Sequence, residues 1–395
     1  KRRPTPKKRK TKIPKKRKED LRIIFLKDKD SISQCGISYL CRQKNMGATG
    51  LLISNLGTPD SASVKDVKSY LKEFLNDPRV IDVNPVWRHI LVNWLIIPGR
   101  AKNSAKLCRE IWTDRGSPLL FHSLDLMEKV RQRNQTGMEL DFGMRYGNPG
   151  LLPALSRLKE KGVDTLLVFP LYPQYASSST GSTMDEVHRI LKLLSWKPEV
   201  KEIKPFFNQD AFIEIIANNA SKFDLESFDH FVFSYHGLPE RHIHKTAREK
   251  NINQCHLGKC CDRISGNNYL CYRAGCFETT RRLVKALNLP PEKCTSSFQS
   301  RLNNRWLKPF TDEIIENLGK QKLKRVLVFS PSFVADCLET TYEIGTECQE
   351  IFTNAGGGEI VLVPSLNSQE AFAGFILDYA QKQQAPRREP VATKR

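Results

Sequence analysis

The sequence predicts an α/β protein, with parallel sheets covered by helices on both faces. Two observations carry that class. From Thr49 onward, apolar runs of four to six residues alternate with segments of helical periodicity. Each run ends in polar, aromatic, Gly or Pro residues, as a buried strand does where it leaves a sheet. Such alternation favours parallel pairing, because a parallel neighbour needs a crossover and a helix is the usual one.

Residues 51–56 read as the first strand, stopped by Gly57-Thr58-Pro59, and helical periodicity follows over Val64–Leu75. Further strands are expected at 140–144, 165–169, 230–235, 325–329 and 360–363. Helices are expected at 101–112, 124–133, 153–161, 184–194, 211–223, 311–318, 338–352 and 369–381. Two similar α/β halves would meet near residues 175–205.

Composition narrows the partners. The 395 residues suffice for one large or two medium domains, and 39% hydrophobic content is ordinary for a folded protein. The net charge of +20 suggests nucleic acid, but its distribution argues against that. Twelve of the first twenty residues are Lys or Arg, and residues 1–46 hold +13 of the total. Like charges repel and this block has nothing to bury, so 1–47 reads as a disordered basic extension or tag, and 385–395 as a disordered tail. The apolar stretch 90–97 is too short to span a bilayer and Asn93 interrupts it. No apolar core follows the N-terminal charges, as a secretory signal would require. The expected location is the cytoplasm.

In an open parallel sheet, chemistry gathers where strands end. Five such exits carry polar or aromatic residues: 56–59, 145–147, 170–175, 236–237 and 330–333. The sharpest is Ser234-Tyr235-His236-Gly237-Leu238-Pro239-Glu240-Arg241. A His at a strand end, followed by Gly, can project into a cleft with open backbone around it. Its imidazole titrates near neutral pH and binds borderline metals. A lone His in such a place is more often a packing residue. The second signal runs from Phe333 to Glu343. Glu339 and Glu343 are four apart and share a helical face, and Asp336 can extend that stripe or cap the helix. Three carboxylates in a row can carry a divalent cation or accept protons, although taken alone they also suit a solvated face.

These segments resemble the ferrochelatase family. Residues 234–239 (SYHGLP), 171–175 (LYPQY), 179–182 (STGS), 297–300 (SFQS) with Trp306-Leu307 and Pro309, and Asp336 to Thr340 all match its pattern. So do 55–59, 144–147 and 111–119, and the resemblance runs in order from about residue 49 to 382. It implies two Rossmann-like chelatase domains, each a parallel sheet flanked by helices, with the active cleft between them. Domain I would span 48–178, completed by a C-terminal helix at 366–384, and domain II 179–365. It implies insertion of Fe²⁺ into a porphyrin, with His236 and Glu339 as the catalytic pair. Iron as substrate would be guided by His236, Glu339, Glu343 and Asp336. Leu56, Arg145, Tyr146, Tyr175, Gln299, Ser300, Trp306 and Phe333 would bind the macrocycle. Many relatives have His where this chain has Cys337, which weakens any role for that His in metal passage. The coproporphyrin-using branch tends to carry Tyr where this chain has Leu56, so protoporphyrin IX is the expected substrate.

Five of eleven cysteines fall within 22 residues, as Cys255-x4-Cys260-Cys261-x9-Cys271-x4-Cys276. Outside a secreted protein, such spacing reads as metal binding rather than as disulfides. A subset of bacterial ferrochelatases is similar here and holds a 2Fe–2S cluster, which implies the same cofactor on four of the five, within an insertion at 251–277. Zinc is the alternative metal, and His256 is a weaker candidate ligand. Cys35, Cys41, Cys108, Cys294 and Cys348 are isolated and read as structural. The polar residues Asp262, Arg263, Ser265, Gly266, Asn267 and Asn268 suggest an insertion with little apolar surface of its own to bury.

Residues 86–97 mix Trp87, Trp94, Leu95 and Ile96 with Arg88 and His89. By the resemblance they form a lip of the cleft. Such a lip can dip into a bilayer, here the inner face of the cytoplasmic membrane, or simply face the core. Rival readings are a coproporphyrin III ferrochelatase and a cobalt or sirohydrochlorin chelatase, which lacks the 234–239 and 297–300 segments. A metal- or nucleic-acid-binding protein would leave His236 and Glu339 unexplained.

Overall fold

Two four-stranded sheets organise the chain, and every strand pair in them is parallel. The computed structural model describes residues 47–252, 255 and 257–384. Nearly all of the basic extension, the tail 385–395, Cys35, Cys41 and His256 lie outside the described residues. The first sheet has strands β1 (Ala48–Thr58), β2 (Glu139–Gly147), β3 (Val163–Pro170) and β4 (Glu199–Glu202), in the order β2-β1-β3-β4. The second has β5 (His230–His236), β6 (Cys294–Gln299), β7 (Arg325–Phe329) and β8 (Glu359–Leu362), in the order β6-β5-β7-β8. The two orders are the same, so the internal repeat that the sequence hides is visible in the topology.

Helices cover both sheets. They are α1 (Val64–Leu75), α2 (residues 85–111), α3 (Pro118–Arg133), α4 (Leu151–Glu160), α5 (Ser182–Leu193) and α6 (Asp210–Ala220). Then come α7 (Glu240–Glu249), α8 (Tyr272–Ala286), α9 (Thr311–Lys320), α10 (residues 338–354) and α11 (Glu370–Gln384). In each half, a π-helical stretch follows the third strand: Ser177–Gly181 leads into α5, and Leu338–Cys348 forms the start of α10.

The central strands are buried on both faces, which is why they read as continuous apolar runs; Leu51, Leu52, Ile53 and Leu166 are inaccessible or nearly so. Two strands escaped the reading. β4 is a short edge strand, Glu-Val-Lys-Glu, with no apolar run. β6 is Cys-Thr-Ser-Ser-Phe-Gln; its buried Ser297 lies 2.8 Å, hydroxyl to hydroxyl, from Thr311, so a polar side chain is satisfied inside the core. The long α2 begins earlier than its expected helix, because Asn84 accepts from the Val86 amide at 3.0 Å and Pro85 occupies the first turn.

The expected boundary at 178 shifts. β4 pairs with β3, and α5 packs Met184, Val187 and Ile190 against Leu52 and Leu166 of the first sheet. Residues 179–202 therefore lie with the first sheet. Helix α11 returns to that half: Glu370 meets Lys129 and Arg133 on α3, and Gln384 Nε2 donates to Thr49 Oγ1 at 2.8 Å. One buried cluster contains Ile53 and Phe169 from the first sheet together with Phe233 and Phe329 from the second.

Candidate active site

His236 is the last residue of β5, in register with Gln299 at the end of β6. The next amide, Gly237 N–H, donates to the Gln299 carbonyl at 2.8 Å. A Cβ on Gly237 would lie 2.6 Å from that oxygen and 3.3 Å from Trp306, so only glycine fits. His236 Nδ1 lies 2.6 Å from the Gly237 carbonyl oxygen. A carbonyl only accepts, so Nδ1 carries the proton and a neutral ring keeps its lone pair on Nε2. Nε2 is the atom available as base or metal ligand. The half-buried Phe333 ring stands 6.3 Å from the imidazole.

Both glutamates sit on the π-helical start of α10. Bonding from i to i+5 widens the turn, so side chains four apart keep close to one line. The helix starts at Cys337, whose side chain accepts from the Thr340 backbone while Thr340 Oγ1 accepts from Cys337 N–H at 2.9 Å. Cys337 thus works as a helix cap. Glu343 Oε2 accepts from Gln299 Nε2 at 3.0 Å and from Ser300 Oγ at 2.5 Å. Gln299 also donates to the Glu339 carbonyl at 2.7 Å and accepts from Ser234 at 2.7 Å. Burial, and then the neighbouring Glu339, push the Glu343 carboxyl above its ordinary range, against Ser300, Gln299 and His236. The arrangement brings an imidazole near a carboxyl whose affinity for a proton is raised.

Several expected site residues have other duties. Asp336 accepts from Asn367 Nδ2 at 2.7 Å, from the Ser365 amide at 3.3 Å and from Thr340 at 3.4 Å. These bonds fasten it to the segment after β8. Tyr146 is 0% exposed, and its hydroxyl lies 2.8 Å from Asp77 and 3.0 Å from Ser182. Arg145 bonds Asp77 at 2.5 Å and Ser182 Oγ at 2.7 Å, with its guanidinium over the Tyr146 ring. This pair forms a brace in which Tyr146 is fully buried and Arg145 keeps 11% of its side chain exposed. Burial opposes the charge on Asp77, but Ser182, the Arg79 amide, Arg145 and Tyr146 outweigh it and hold its carboxyl below the usual range. Gln299 and Ser300 hold Glu343, and Tyr175 is buried with Lys250 Nζ 5.1 Å from its ring centre. Leu56 and Trp306 remain partly open.

Two groups facing Glu339 were not foreseen. Burial first, and then the Glu339 charge, raise the Tyr70 hydroxyl and push the Cys108 thiol up to about 11. They sit on α1 and α2, and nothing local in the sequence marks them. Asp82, just before α2, faces three side chains of α7: Arg241 at 2.7 Å, His242 at 3.4 Å and Lys245 at 3.9 Å.

The cysteine-rich segment is better packed than its polarity suggests. Cys261, Cys271 and Cys276 are buried, and Ile252, Leu257 and Ile264 pack against the main core. Asn268 Nδ2 donates to the Cys260 and Arg263 carbonyls, and Tyr269 O–H to the Pro205 carbonyl at 2.7 Å. Cys260 and Cys261 sulfurs are 3.9 Å apart, and the Cys271 thiol, aided by Arg273, pulls the Cys261 thiol down to about 5. Among the described residues, no three His, Cys, Asp or Glu side chains surround a single metal position. The lip carries Trp87 at 68%, Trp94 at 74% and Leu95 at 67% exposure. Among the described residues, no helix is long and apolar enough to cross a membrane.

Comparison with known proteins gives the family. A family model described as ferrochelatase matches residues 48–384. The ferrochelatase of Legionella pneumophila (strain Lens) is 41% identical over 335 residues, covering 85% of this chain and 99% of its own. That of Coxiella burnetii (strain Dugway 5J108-111) is 42% identical over 344 residues, covering 86% and 95%. Among solved structures, the sirohydrochlorin chelatase SirB from Bacillus subtilis subspecies spizizenii in complex with cobalt aligns at a TM-score of 0.49 and 8% identity, over 85% of this chain and 95% of that one. The chain belongs to the ferrochelatase family, metal chelatases that insert iron into a porphyrin.

Proposed function

We propose that the chain inserts Fe²⁺ into protoporphyrin IX, releasing two protons and forming protohaem, the terminal step of haem synthesis. The observation that carries the reading is the pairing of an open His236 Nε2 with the proton-accepting Glu343 carboxyl, joined through Gln299. Metallation must remove two pyrrole protons while a dication enters. His236 takes protons at Nε2, and Glu339 and Glu343 along one line guide the cation and pass protons outward. Phe333, Trp306 and Leu56 offer apolar contact to a flat ligand. Leu56, where Tyr marks the coproporphyrin branch, supports protoporphyrin IX.

A 2Fe–2S centre on four of Cys255, Cys260, Cys261, Cys271 and Cys276 belongs to the same reading. Its support is the donor set: five cysteines in one segment, three of them buried, with Cys261 already thiolate-prone beside Cys271 and Arg273. A bound centre supplies one-electron chemistry and four iron–thiolate bonds. The exposed lip of α2 supports peripheral contact with the cytoplasmic face of a membrane, where an apolar porphyrin would be collected.

Replacing His236 by Ala or Glu339 by Gln should lower metallation by roughly 10²–10⁴-fold while porphyrin binding stays nearly unchanged. The measurement is an anaerobic assay with Fe²⁺, read by the Soret shift, beside fluorescence titration of the porphyrin. Near-normal turnover in either variant would overturn the assignment.

A further inference from the structure

Tyr272 ties the cysteine region to the catalytic loop. It is the first residue of α8, directly after Cys271, and Cys276 follows one turn later on the same face. Its buried hydroxyl donates to the His236 carbonyl at 2.8 Å and lies 3.2 Å from Ser332 Oγ. Ser332 in turn donates to Gln174 Oε1 at 3.0 Å, and Gln174 Nε2 donates to Thr279 on α8 at 3.1 Å. The circuit therefore leaves α8 at Tyr272 and returns to it at Thr279. It touches the backbone of His236 and the residue beside Phe333, whose ring flanks the imidazole. Two hydroxyl protons serve three oxygen contacts, so a small shift of Tyr272 changes which bonds are made.

We propose that Tyr272 is a positioning residue that couples occupancy of the cysteine centre to the placement of the His236 imidazole. The inference rests on the cluster reading above. Bonds from iron to Cys271 and Cys276 would fix the first turn of α8, and with it the hydroxyl that holds the His236 carbonyl. The His236 ring is itself held by the adjacent Gly237 carbonyl, so a displaced backbone misaims Nε2. Reaction geometry is sensitive to such errors at the scale of an ångström.

The test uses the holoenzyme and Tyr272→Phe, which keeps the ring and removes the hydroxyl. Iron and sulfide content and the visible spectrum should remain those of the wild type, KM for porphyrin should hold, and kcat should fall about tenfold. Removing the cluster, by Cys276→Ser or by anaerobic chelation of the folded protein, should lower kcat in the wild type but add nothing to Tyr272→Phe. Amide hydrogen exchange over residues 236–240 should speed up in cluster-free wild type and in cluster-bearing Tyr272→Phe alike. Wild-type kcat and exchange in Tyr272→Phe, or losses that multiply, would sink the coupling alone. A wild-type protein without iron and sulfide would sink the cluster reading and the coupling with it.

Discussion

Glu343 shows how its surroundings raise a carboxyl's affinity for a proton. Burial and Glu339 raise it, while Ser300 and Gln299 donate to the ionised form and hold the rise in check. Ser300→Ala removes one of those donors, so the carboxyl should rise further. A group that must be deprotonated to accept a proton loses function as pH falls through its pKa. The acid limb of the kcat profile should therefore move to higher pH in Ser300→Ala, and a limb that stays put or moves down would contradict this role. At this scale the sequence was legible where chemistry and position coincide: His236 follows a strand and precedes a glycine. It was not legible where partners are distant. Asp336 looked like part of an acidic stripe because Asn367, which occupies its carboxylate, lies 31 positions away. Tyr70 and Cys108 meet Glu339 only through the fold.

The lip of α2 is an element whose surface contradicts its composition. Val86, Trp87, Trp94 and Leu95 are exposed together, while Val92 and Ile97 pack inward against Leu75 and Ala101. The helix holds its place through the inner residues, so the outer ones are available to a bilayer. Moving a large apolar side chain out of water is worth ~1.5–3 kcal/mol. Trp94→Glu should weaken binding to phospholipid vesicles roughly tenfold or more, with thermal stability unchanged, since Trp94 contributes little to the core. Co-sedimentation and a melt on the same samples test both halves of that statement. Apolar periodicity found most elements and failed at β6. There the interior is built from Ser297, Ser234 and Thr311 bonding to one another, and a polar strand leaves no hydrophobic signature.

Over the whole molecule, a continuous core joins the two sheets and Asp82 adds a charged clasp between α7 and the approach to α2. Asp82 is mostly buried and faces three basic side chains on one helix. Asp82→Asn should cost about 1–2 kcal/mol of stability, measured by denaturant unfolding, because the pairs are neither deeply buried nor fully exposed. The pH dependence has a definite sign. Burial lowers the pKa of His242 and Asp82 opposes the drop, so the folded state favours the neutral ring. Below about 6.5 the unfolded chain takes a proton that the folded one refuses, and stability falls as pH falls. Losing Asp82 should extend that loss to lower pH. Two similar halves were expected, but their common sheet order was out of reach of the sequence: β4 is the fourth strand of its half and β6 the second of its own, and neither carries an apolar pattern.

The repeat has a stereochemical consequence. Both halves place a π-helical stretch after the third strand, yet the first is Ser-Ser-Ser-Thr-Gly and the second carries Glu339, Glu343 and Glu347. Under the proposed assignment, the imidazole and the acidic line belong to the same half, and the other half contributes no matching charge there. Protoporphyrin IX has two prochiral faces, because its vinyl groups are unsymmetrically placed. A cleft charged on one side presents iron to one of them and collects the departing protons on that side as well. The enzyme would then be face-selective in its handling of a planar molecule, although the haem it makes keeps no record of the side from which the iron came.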